Sequence, residues 1–196
     1  MIIDLGTGDG RAAVAAAACD PAAVVLAIDA AAGPMAEASR RAARHPRKGG
    51  VPNVVFLAAA AESLEPVLHG AADLVTVTLP WGSLLRGALG LDLAVARSVA
   101  RLLAPNGRVV ALVSVTPRDG IAEIDCLDDA ALAGVAARLR NAGLRVVVAA
   151  PATDDEVAAV RSTWLRRLAS DRARPIWRVE LTRDDNAADA GGPGAD

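Results

Sequence analysis

Short runs of Val, Ile and Leu recur along the chain at residues 2–5, 24–28, 54–57, 74–79, 108–115 and 144–149, separated by Ala-, Arg- and Leu-rich stretches of helical length. Apolar runs of strand length that alternate with helices predict βαβ units, and hence a parallel sheet with helices on both faces. Helices are predicted near residues 10–19, 34–45, 83–103 and 128–142. The last of these is preceded by Asp128-Asp129 and closed by Asn141-Ala142-Gly143, an ordinary helix stop. A seventh apolar run, 176–181, begins just after Pro175 and follows a polar, Arg-rich segment in which any helix must be short. It predicts a final antiparallel strand. From residue 183 to 196 the chain is Ala, Asp, Gly and Pro with almost nothing to bury, which predicts a disordered tail behind one domain spanning residues 1–182.

Composition narrows the class. The 196 residues are 53% hydrophobic and 22% charged, enough for one domain with a sizeable core and incompatible with a largely disordered chain. Cys19 and Cys126 stand too far apart for a disulfide framework or a CxxC metal site, which predicts a reducing compartment and no metal. No charged leader with an apolar centre opens the sequence. Its apolar runs break well before the roughly 20 residues that span a bilayer. The expectation is a cytoplasmic, monomeric protein without a membrane contact.

Charge placement says more than the net charge of -2. Residues 40–48 hold Arg40, Arg41, Arg44, Arg47 and Lys48 with no acid, and residues 161–178 hold six arginines against one aspartate. An acidic body with two basic patches points to a directed contact with an anion, with solvated helix faces as the plain alternative.

The sequence Asp4-Leu5-Gly6-Thr7-Gly8-Asp9-Gly10 joins the first apolar run to an Ala-rich helix, the context that a glycine-rich nucleotide loop requires. The second run ends in Ile28-Asp29, which puts a carboxylate at the neighbouring strand tip, where it can accept bonds from ribose hydroxyls. Position 11, where a dinucleotide fingerprint has its third glycine, is Arg11. The spacing therefore favours S-adenosylmethionine over NAD, and with it the class I methyltransferase fold: a Rossmann-like, seven-stranded, mostly parallel sheet with an antiparallel last strand. Ala61-Glu62 follows the third run, where such enzymes contact the adenine ring.

Aromatic residues make up 2% of the chain, one Phe and three Trp. Phe56 and Trp177 fall within strands and read as packing residues. Trp81 stands between Pro80 and Gly82 at the end of the fourth run, and Trp164 in the connection between the sixth and seventh. If both connections leave from the same sheet edge, two indole faces overhang the methyl donor, which suits a flat base taken out of its stack. His45 and His69 stand in polar surroundings and read as surface residues, and neither cysteine has a partner that would activate it.

Four stretches carry a resemblance: Asp4 to Gly10, residues 47–53 (RKGGVPN), residues 80–87 (PWGSLLRG) and residues 162–168 (STWLRRL). Together they resemble the aminoglycoside-resistance 16S rRNA methyltransferases that modify N1 of adenine 1408, the kanamycin-apramycin type. The resemblance runs from about residue 3 to 181. It implies that Asp4, Gly6, Gly8, Gly10, Asp29, Ala61, Glu62, Thr78 and Ser83 hold S-adenosylmethionine. It implies that Trp81 and Trp164 sandwich the adenine, with Ser162 positioned near the donor. Arg47, Lys48, Arg167, Arg172 and Arg174 would then grip the rRNA backbone of the 30S subunit. Family members also carry a short extension ahead of the first strand, where this sequence has Met1. Two other readings remain open at this point: a class I methyltransferase acting on another RNA site or a small molecule, and a truncated, inactive RNA-binding relative.

Overall fold

The computed structural model describes residues 1–160 and 174–184. Seven strands make one sheet: β1 (Ile2–Leu5), β2 (Val25–Asp29), β3 (Val54–Ala58), β4 (Ala72–Thr78), β5 (Leu103–Val113), β6 (Leu144–Pro151) and β7 (Trp177–Arg183). Their order is β3-β2-β1-β4-β5-β7-β6. The first five strands are mutually parallel, and β7 runs antiparallel to both β5 and β6. The chain starts in the middle of the sheet, works outward through β2 and β3, and returns to lay β4 beside β1. That reversal opens a crevice at the carboxyl ends of β1 and β4, where ligands bind in sheets of this kind.

Alternation along the strands builds two core layers. Val25 and Ala27 of β2 face Ala13 and Ala17 of α1 (Arg11–Cys19) together with Ala42 of α2 (Ala32–Ala42), where alanines let helix and sheet approach closely. Leu26 and Ile28 point the other way, into the larger layer shared with Ile3, Leu5, Val75 and Val77. That layer is closed by α3 (Gly82–Ala88), α4 (Leu93–Leu102) and α5 (Asp129–Arg140). A short α6 (Asp154–Ala159), opened by a Thr153–Glu156 capping box, follows β6. Among the described residues no helix is long and apolar enough to cross a membrane.

Two departures from the sequence pattern have local causes. The single helix predicted over 83–103 is two helices: Gly90 turns at φ +67, where a Cβ would stand 2.7 Å from Arg138 Cβ of α5, and Asp92 caps α4 by accepting from the Ala94 and Val95 amides. β5 begins at Leu103 instead of 108, pairing with β4 across a register shift between Ala72 and Leu74. The predicted tail beyond residue 184 lies outside the described residues.

Candidate functional site

The glycine loop leaves β1 and is tied at once to β2: the amides of Gly6 and Thr7 both donate to the Ile28 carbonyl, at 2.8 and 3.0 Å. Gly6, Gly8 and Gly10 all sit at positive φ, a region that favours glycine. Gly6 also has no room for a side chain, since a Cβ would come within 2.6 Å of Leu84 Cδ2 of α3. Gly8 is different, because a Cβ there would meet nothing within 4 Å. Its backbone borders open space at the sheet edge.

Asp29, at the tip of β2, accepts from the Gly8 amide through one carboxylate oxygen and from the Ala31 amide through the other, each at 2.8 Å. Each oxygen keeps a lone pair for a further donor. Asp4 lies beneath the loop, 6% exposed. Its oxygens accept from the Thr7 hydroxyl at 2.6 Å and the Thr76 hydroxyl of β4 at 2.8 Å. Burial pushes its carboxyl above the ordinary range, against the opposing pull of the two threonines.

A strained residue follows β4 directly. Leu79 has φ +46, unusual for a branched side chain, and its amide donates to the Leu112 carbonyl of β5 at 2.7 Å. The bend turns the chain through Pro80 into Trp81, the residue that precedes α3. Trp81 is 77% exposed. Leu84, three residues on, packs over Gly6, so the start of α3 adjoins the glycine loop.

The family model for NpmA, 16S rRNA (adenine(1408)-N(1))-methyltransferase, matches residues 1–182. The chain belongs to that family. A 16S rRNA (adenine(1408)-N(1))-methyltransferase from Streptoalloteichus tenebrarius is 37% identical over 179 residues, covering 89% of this chain and 82% of that protein. One of the same name from Escherichia coli is 32% identical, covering 90% and 84%. Among solved structures, the 16S rRNA methyltransferase KamB superposes with a TM-score of 0.84 at 31% identity, over 93% of this chain and 86% of that one. A variant of the enzyme from Catenulisporales acidiphilia, solved with its cosubstrate SAM, superposes with a TM-score of 0.83 at 30% identity, over 94% and 85%. The fold is that of the class I methyltransferases, and the family uses S-adenosylmethionine.

The residues present fit that cosubstrate. Gly8 offers bare backbone to open space, and Asp29 offers unspent acceptors at the neighbouring strand tip. Ala61 is buried in a single turn (Ala61–Ser63) after β3, and Glu62 beside it is exposed. Thr78 closes β4 and Ser83 lies in the first turn of α3, both at the same edge. Gly10 also makes room for a ring packed on the core, since a Cβ there would come within 2.5 Å of Phe56 Cε1.

The first basic patch is one ordered ridge. Gly50 lies so close to the end of α2 that a Cβ would collide with the Arg44 carbonyl at 1.6 Å, and the Val51 amide donates to the Ala42 carbonyl at 2.9 Å. The single turn Pro46–Lys48 is thereby folded back against α2. Arg41, Arg44, Arg47 and Lys48 are exposed, and Arg40 pairs with Glu37. Arg11 and Arg41 also line a cleft of about 760 Å³ between α1 and α2, alongside Asp9 and Glu37. Asn53, which ends the same motif, is structural: its amide donates to the carbonyls of Ala17, Asp20 and Ala23.

Ser162, Trp164, Arg167 and Arg172 lie outside the described residues. Arg174 is held by the fold: its Nε donates to Ser114 at 3.0 Å and its Nη2 to both oxygens of Asp119, at 2.8 and 2.7 Å. The side chain is only 13% exposed, most of it enclosed by these contacts. Trp177 packs against the core and donates to the Leu127 carbonyl at 3.0 Å. Sequence reasoning missed Leu79, Thr7, Thr76 and Asp119. Thr76 alone left a signal, a polar residue inside an apolar strand beside the loop. Among the described residues no cluster of His, Cys, Asp or Glu is arranged to hold a metal ion.

Proposed function

We propose that this chain transfers a methyl group from S-adenosylmethionine to N1 of adenine 1408 in the 16S rRNA of the 30S subunit, and that the modification gives aminoglycoside resistance. The observation that carries the reading is Trp81, a large aromatic face 77% exposed at the start of α3, which adjoins the glycine loop. An indole there costs apolar exposure unless something flat covers it, and an extruded base is flat.

Asp29 receives the ribose hydroxyls while Gly6 and Gly8 let the backbone lie close, and Ala61 and Glu62 border the adenine of the cosubstrate. The Thr78 backbone and Ser83 complete that side, with Asp4 setting the shape and charge beneath. S-adenosylmethionine, when bound, supplies an electrophilic methyl group that the unprotonated N1 of adenine accepts without a general base. The work left to the protein is positioning and exclusion of water. Trp81 and Trp164 hold the target base between two faces, which also favour the positive charge that the methylated ring acquires. Ser162 stands near the donor.

Arg47 and Lys48, with Arg167, Arg172 and Arg174, grip phosphates. Arg174 does so with a guanidinium already oriented by Asp119. The enzyme acts as a monomer, without a metal, in the cytoplasm where assembled subunits are found. Residues 1–182 form the catalytic domain.

Purified protein incubated with labelled S-adenosylmethionine and 30S subunits is expected to place one methyl group where primer extension then stops at adenine 1408. Label at another nucleotide, or none, discards the reading. The ridge along α2 yields a second expectation. Arg41→Glu with Arg44→Glu should weaken 30S binding and flatten its dependence on salt by about one unit of slope per lost phosphate contact. An unchanged slope would make those arginines a solvated face.

A further inference from the structure

Residues 114–128 join β5 to α5 along the sheet edge that carries the glycine loop, and Ile121, Ile124 and Leu127 sink from them into the core. A capping box between Thr116 and Asp119 orders the start of this connection, and the Leu127 carbonyl is fixed by Trp177 near its end. It is a folded strap with a set position. From the middle of the strap Glu123 reaches α3: Arg86 donates from Nη2 to Oε1 at 3.0 Å and from Nη1 to Oε2 at 3.5 Å. The contact is two-pronged, which fixes direction as well as distance.

The energetic role of this pair in folding is small. Both side chains are more than one third exposed, at 41% and 45%, and exposed pairs contribute little to stability. Its geometric role is larger. The helix it grips has seven residues, too few to hold a shape alone, and the residue before it, Trp81, makes no capping bond through its side chain. Leu84 pins α3 over Gly6, and Leu85 and Gly87 bury it, Gly87 against Val95 of α4. Arg86 ties the remaining side to the strap.

We propose that Arg86 and Glu123 are positioning residues: their ion pair fixes α3 between the strap and the glycine loop, and so sets where the Trp81 indole presents its face to the target base. This rests on the base-stacking reading of Trp81. The pair touches neither base nor cosubstrate, so its effect falls on the rate of transfer and spares the affinity for either.

The test is Glu123→Gln, which keeps the shape and removes the charge, together with the reversed pair Arg86→Glu/Glu123→Arg. In Glu123→Gln, methylation at saturating 30S and S-adenosylmethionine is expected to fall about 10-fold, the order of loss that a sub-ångström misplacement causes. KM for 30S, cosubstrate affinity and Tm should hold. The three tryptophans make the 15N indole spectrum simple: the Trp81 signal should lose order in Glu123→Gln while that of Trp177 does not. The reversed pair should restore rate and order together. A wild-type rate, a Trp81 signal as ordered as before, or a loss that only tracks a fall in Tm overturns the proposal. Trp81→Ala, run alongside, separates the two claims. Full activity there removes the stacking role itself, whereas lost activity there beside wild-type activity in Glu123→Gln removes only the role of the ion pair.

Discussion

Trp81→Ala is expected to lower methylation of 30S subunits at least about 100-fold while leaving affinity for S-adenosylmethionine within about 2-fold. Stacking is worth roughly 1–3 kcal/mol per base, which by itself spans a factor of about 5 to 150. The face also fixes N1 in line with the methyl group, and loss of alignment adds to the loss of contact. The side chain is 77% exposed, so truncation opens no cavity, and it makes no capping bond that alanine would forfeit. Trp81→Phe keeps a smaller aromatic face and should fall between the two. Calorimetry with the cosubstrate and label uptake into 30S, measured on the same preparations, check both halves. Activity within 3-fold of wild type in the alanine variant would remove the base platform from the mechanism.

How far the sequence reaches depends on whether a feature is set by neighbours along the chain or across the sheet. Strand positions follow from local runs of Val, Ile and Leu, so all seven strands were legible to within a few residues. β5 is the exception at its start, because residues 103–107 pair with β4 only through a register shift that no local pattern announces. The break between α3 and α4 was written in Gly90 and Asp92, but apolar residues on both sides masked it. Within the site, the glycines, Asp29 and Trp81 are legible because loop chemistry and residue type restrict their use. Leu79 is not, since its positive φ is imposed by β5 and by the turn into α3. Arg174 looked like one more cation in an Arg-rich run; its capture by Asp119 joins residues 55 apart in sequence. The same holds for Glu123 and Arg86, which local sequence marks only as two unrelated charges.

Asp4→Asn should move stability and cosubstrate affinity in opposite directions. Burial raises the Asp4 carboxyl above the ordinary value of an aspartate, with the Thr7 and Thr76 hydroxyls opposing the shift. For an acid with a raised pKa in the folded state, the native protein binds more protons than the unfolded chain. Its contribution to stability is thus fully present below the ordinary value and is lost as pH rises through the folded value. Wherever the carboxyl is ionised, its buried charge is a cost to the free protein. Asparagine removes that cost, and its amide can still meet both hydroxyls, each of which can donate or accept. Tm of the free enzyme at pH 7 should therefore rise, by about 2–4 °C for each kcal/mol recovered in a chain of this size. S-adenosylmethionine carries a sulfonium, and the buried negative charge below the loop favours it. Without that charge, affinity should fall about 10-fold or more, the value of a charged partner in a site shielded from water. In the native protein the same affinity should weaken as pH drops through the raised value. S-adenosylhomocysteine, whose sulfur is neutral, should respond much less to both changes. A lower Tm for Asp4→Asn at pH 7 would show that the ionised carboxylate supports the fold. Equal losses for the two ligands would show that Asp4 shapes the loop without acting through its charge.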